Sequence, residues 1–119
     1  MTMTMPRDAM LLRIFIGEND RSPEGRPLYE AIVLKAREVQ LAGATVVRGP
    51  MGFGHASHLH TAKILRLSED LPLIIEIVDS EAKIQAFLPI LDSMMTSGLV
   101  TLQNVQVLQY GVEVKHQAG

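Results

Sequence analysis

Leu73-Ile74-Ile75-Glu76-Ile77-Val78 is the clearest strand signal in the chain, and a helical repeat follows it directly. The same succession stands near the start. There Leu11-Leu12-Arg13-Ile14-Phe15-Ile16 reads as a strand that ends in Gly17-Glu18-Asn19-Asp20 and a Pro- and Gly-containing loop. Leu28, Ala31, Ile32, Lys35, Ala36 and Val39 then recur at helical spacing. Pro27 suits the first helical position, Gly43 marks a stop, and the helix is predicted over about 27–41. Ala44-Thr45-Val46-Val47-Arg48 reads as a second strand. The later helix carries Ile84, Phe87, Leu88, Leu91 and Met94/Met95 on one stripe. Asp79 or Ser80 is placed to cap it, Pro89 lies inside it and Gly98 ends it. The last strand is predicted over 105–110, with 112–114 as an extension.

The order is β-α-β, a long excursion over 51–70, then β-α-β. Two such halves make a ferredoxin-like α+β fold, a four-stranded antiparallel sheet with both helices on one face. In the first and third strands both alternating sets are largely apolar. The uncovered sheet face therefore needs a partner, most simply further copies of the chain. Arg13, set among apolar neighbours, calls for a mate, and Glu76 on the adjacent strand is the expected one. The domain is read over 11–114, between a floppy leader over 1–10 and a tail over 115–119.

Composition narrows the function. At 119 residues the chain makes one domain, and a net charge of −2 disfavours nucleic acid as a partner. There is no Cys, which excludes disulfides and thiolate chemistry and fits a cytoplasmic location. No apolar run approaches the roughly 20 residues that span a bilayer. The first ten residues lack the basic and apolar regions of a secretory signal. No nucleophile elbow, zinc-protease motif or carboxylate pair stands out, so the chain is read as non-enzymatic.

Four stretches carry a resemblance. They are Leu12-Arg13-Ile14-Phe15-Ile16-Gly17-Glu18, Pro27-Leu28-Tyr29-Glu30-Ala31-Ile32, Gly43-Ala44-Thr45-Val46-Val47-Arg48-Gly49, and the run from His60-Thr61-Ala62-Lys63 through Leu71-Pro72. Together they resemble the domain-of-unknown-function 190 (DUF190) family, described as PII-like signalling proteins, over 11–110. More distantly the chain is similar to the nitrogen-regulatory PII proteins, whose glycine-phenylalanine-glycine motif at the T-loop base matches Gly52-Phe53-Gly54. The resemblance implies a homotrimer of ferredoxin-like subunits. It further implies a small ligand, an adenine nucleotide by analogy, in the cleft between subunits. The excursion over 51–70 would dock a regulated protein such as a membrane transporter or channel. The candidate ligand residues are Arg48, Gly52, Phe53, Gly54, His55, Lys63 and Arg66. PII proteins carry Arg-Gln after the motif, where this chain has His55-Ala56. Phosphate contacts would therefore fall to other cations, with Lys63 and Arg66 three apart on one face of a helix.

A second reading rests on ligand chemistry. His55, His58 and His60, with Glu69 and Asp70 nearby, offer imidazoles suited to Zn, Cu or Ni, as in a metal-tolerance trimer of the CutA type. Solvated loop histidines are the plainer account of the same residues. Glu18 and Asp20 could bind a cation or an amine, but acidic turn residues more often act as caps or are solvated. Gly49, Gly52 and Gly54 lack the Gly-Lys-Ser/Thr ending of a P-loop and read as a hinge.

Overall fold

A computed structural model describes residues 5–53 and 70–111. Its elements are β1 (Asp8–Gly17), α1 (Leu28–Glu38), β2 (Thr45–Arg48), β3 (Pro72–Asp79), α2 (Glu81–Met94) and β4 (Leu99–Gln106). The strands form one antiparallel sheet in the order β2-β3-β1-β4. This is the βαββαβ arrangement that the pattern predicts. Alternation assigns the faces. Leu12, Ile14 and Ile16 of β1 join Leu73, Ile75 and Ile77 of β3 against Ile32, Ile84, Phe87 and Leu91 of the helices, and all are buried in one cluster. Each such side chain contributes about 1.5–3 kcal/mol on leaving water, which is why the helices lie on this face.

Several boundaries differ from the sequence reading. β1 starts at Asp8, so 8–10 leave the predicted leader: Asp8 pairs with Gln106, and Met10 pairs with both Asp79 and Asn104. Strands on both sides supply partners there, and Ala9 and Met10 are buried. α1 stops at Glu38, well before Gly43. Gln40 takes the left-handed conformation (φ 66°), its N–H donates to the Arg37 carbonyl, and the Leu41 N–H donates to the Ala36 carbonyl. That pair of bonds is a Schellman motif, and Leu41 beyond it is buried.

Ser80 is the cap of α2, its Oγ accepting from the Lys83 N–H at 3.2 Å, and the helix runs on through Pro89. It ends at Met94, and Met95 is already extended. Gly98 (φ 129°) therefore opens β4 rather than closing the helix. β4 itself is 99–106, not 105–110, because the backbone of 99–106 pairs with β1 along its length. Its polar content (Thr101, Gln103, Asn104, Gln106) hides it from an apolar-run search. The predicted extension at 112–114, the tail and most of the excursion lie outside the described residues.

Candidate functional site

The face of the sheet opposite the helices is ordered in rows. Cross-strand register aligns Val47, Ile74, Phe15 and Leu99 in one apolar row across all four strands. The next row is polar: Thr45, Glu76, Arg13 and Thr101. Arg13 Nε donates to Glu76 Oε2 at 2.9 Å, the pairing expected from sequence. With side chains 41% and 37% exposed, this pair is worth less than about 1 kcal/mol in the isolated chain. Beyond it, Leu11 stands between Val78 and Gln103.

After β4 the chain turns back across this end of the sheet. The Val107 N–H donates to the Arg7 carbonyl at 2.7 Å, and Tyr110 Oη donates to the Ala42 carbonyl at 3.3 Å. A groove of about 660 Å³ results, with Leu11, Val78 and Val105 as apolar walls. Ala44, Glu76 and Tyr110 add polar groups around it. Its Ala42 side is fixed from beneath. Asp79 is buried, and its carboxylate accepts from the Ala42 N–H at 2.8 Å and the Ser80 N–H at 2.7 Å. Among the described residues no Lys or Arg lines the groove. It suits a small, largely apolar or heteroaromatic group with a few polar atoms.

The base of the excursion lies at the opposite end of β3. Arg48 Nη2 donates to Glu18 Oε2. The Gly49 N–H donates to the Pro72 carbonyl at 2.8 Å, the Glu18 N–H to the Leu71 carbonyl at 2.8 Å, and the Asn19 N–H to Asp70 Oδ1 at 3.1 Å. A Cβ added at Gly49 or Gly52 would stand 3.0 Å from Pro72 Cγ, so glycine lets the backbone pass close to the proline. Phe53 is exposed. Of the predicted ligand residues, Arg48, Gly52 and Phe53 therefore gather at this base, with Arg48 engaged by Glu18. Gly54, His55, Lys63 and Arg66, together with His58 and His60, lie outside the described residues. Asp20 acts as a turn cap, its Oδ2 accepting from the Gly17 N–H at 2.9 Å. Among the described residues no three His, Cys, Asp or Glu side chains converge as metal ligands.

A family model described as Uncharacterized ACR, DUF190, matches residues 9–107, from the start of β1 to just past β4. The chain belongs to the DUF190 family. Similar proteins include a UPF0166 protein of Aquifex aeolicus, 41% identical over 98 residues, or 82% of this chain and 91% of the relative. A UPF0166 protein of Methanocaldococcus jannaschii is 35% identical over 100 residues, covering 83% and 91%. A second Aquifex aeolicus UPF0166 protein is 29% identical over 98 residues, covering 82% and 95%. The DUF190 match thus spans the groove as far as Val107 and the whole excursion base. Sequence reading missed the groove because Ala42–Tyr110 is a contact across 68 positions.

Proposed function

We propose that this DUF190 chain is a non-enzymatic PII-like regulator. It assembles as a homotrimer through the open sheet face and senses a small ligand at the seam between subunits. The groove beside that face carries the reading: about 660 Å³ is within the usual range for a small-molecule site, about 300–1,000 Å³. Apolar walls and a rim of backbone and carboxylate groups favour the base of an adenine nucleotide. Because the excursion base lies at the other end of β3 from the groove, the nucleotide's phosphates would be met by cations of another subunit, with Lys63 and Arg66 the candidates. An apolar row four strands wide supports assembly, since monomers seldom leave so continuous a patch in water. Covering the Arg13–Glu76 pair between subunits would make it specify register, because a buried charge that loses its mate is strongly penalised.

The segment 51–70 is the docking element in this account, and a membrane transporter or channel is the partner class. Its stems are tied to the turn after β1 by the Arg48–Glu18 pair and the backbone bonds of Glu18, Asn19 and Gly49. A ligand that favours one state of this base by a few kcal/mol shifts its population usefully.

Thermal melting against ATP, ADP, AMP and cyclic nucleotides, each with and without magnesium, then Zn and Cu, tests the reading. A nucleotide at a hundred times its dissociation constant adds about 2.7 kcal/mol per site and raises Tm visibly. Silence from every nucleotide with a shift from metal alone contradicts the proposal and points to His55, His58 and His60.

A further inference from the structure

The helix layer leaves most of β4 exposed. α2 packs on β1 and β3. On β4, Val100 and Leu102 point to the helix side yet remain 38% and 40% exposed, whereas Leu12, paired with Leu102 one strand inward, is fully buried. Two hollows lie along α2 and β4, with the exposed Leu102 between them on the strand, and together they outline a trough. The larger, about 680 Å³, has Leu88, Met95 and Val100 as apolar walls and Asp92 at its edge. The smaller, about 420 Å³, lies by the start of α2, with Asp8, Glu81 and Gln106 around it.

Charge selects what fits there. Among the described residues no Lys or Arg lines either hollow, and none of Asp8, Glu81 and Asp92 is ion-paired. From Val100 to Gln106 the strand advances about 20 Å at about 3.4 Å per residue. That is the length of about 13 helical residues. Apolar side chains edged by unneutralised carboxylates complement an amphipathic helix whose apolar stripe is flanked by Lys or Arg. A second copy of this chain offers a poorer match. Its α1 exposes Leu34, but the helix carries Glu30, Lys35, Arg37 and Glu38, which balance.

We propose that the trough between α2 and β4 docks a basic amphipathic helix of a partner protein. Its larger hollow shares no lining residue with the ligand groove, and docking there does not depend on nucleotide sensing.

Fluorescence anisotropy with the full-length protein tests this. The probe is a fluorescein-labelled amphipathic Leu/Lys peptide of about 14 residues, long enough for the trough. A Leu/Glu peptide of the same pattern is the control. The Leu/Lys peptide should bind saturably and more weakly as ionic strength rises. Leu102→Asp, and separately Glu81→Lys with Asp92→Lys, should each weaken it by about tenfold or more. Leu34→Asp on α1 should leave it unchanged, and circular dichroism verifies that every variant is folded. Absence of saturation, equal binding of the Leu/Glu peptide, or unchanged binding to Leu102→Asp overturns the proposal. So does a change of oligomeric state in Leu102→Asp, which would mean that a second copy covers the trough.

Discussion

Gly98→Ala should lower stability by about 3 kcal/mol, made up of backbone strain and overpacking of roughly equal size. Gly98 sits at φ 129°, and a Cβ there would come within 2.7 Å of Met95 Cε and 2.8 Å of the Phe15 carbonyl oxygen. The methionine tip can swing away. Phe15 cannot, because it pairs with Ile74 on one side and Leu99 on the other. The added methyl must therefore lift the start of β4 from β1. Gly25→Ala separates the two causes: Gly25 also has positive φ (88°) but nothing within 4 Å of the added atom. It should cost only the conformational part, about 1–2 kcal/mol. Urea unfolding of both variants checks the difference, and equal losses would refute the steric contribution.

Asp79→Ala should cost about 1–3 kcal/mol, since it takes the buried acceptor from two partly buried donors. The carboxylate accepts from the N–H groups of both Ala42 and Ser80, and Asp79 itself is only 2% exposed. Asp79→Asn keeps one acceptor oxygen and turns an amide toward the other donor, so it should recover about half of the loss. The effect reaches the proposed site. Ala42 also receives the Tyr110 hydroxyl, so releasing its backbone slackens the wall of the groove. Equilibrium unfolding gives the stability change. A variant within experimental error of the wild type would show that Asp79 does not hold the α1–β2 connection.

These two positions also mark what the chain discloses by itself. The β3 run 73–78 and the α2 stripe of Ile84, Phe87 and Leu91 are legible because a single periodicity governs burial there. The pairing of Arg13 with Glu76 follows from the need to match a charge among apolar neighbours, once the fold places their strands side by side. β4 is hard to read, because an edge strand exposed on both faces has no apolar alternation to display. Gln40 conceals the end of α1 by adopting a conformation that glycine usually takes, while Gly43 nearby offers a false stop. Gly98 is visible as a glycine, but its purpose, clearance for a carbonyl of β1, depends on a contact across more than eighty residues. The groove is a similar case. Leu11, Thr45, Glu76 and Tyr110 meet only because the segment after β4 returns over the sheet. The base of the excursion stands between these extremes: its glycines are plain in sequence, whereas their packing on Pro72 and the Arg48–Glu18 pair are not.

All of the proposed sensing rests on the open face being a meeting place of subunits. Sedimentation velocity of the wild-type chain beside Phe15→Asp measures this directly. Phe15 lies in the apolar row, and a carboxylate there would be buried without a partner in any assembly that uses the face. The account predicts that the wild type sediments as one species of three times the chain mass, and that Phe15→Asp yields monomers with the circular dichroism of the folded chain. A wild type that sediments as a monomer, or a Phe15→Asp trimer indistinguishable from it, would contradict the account.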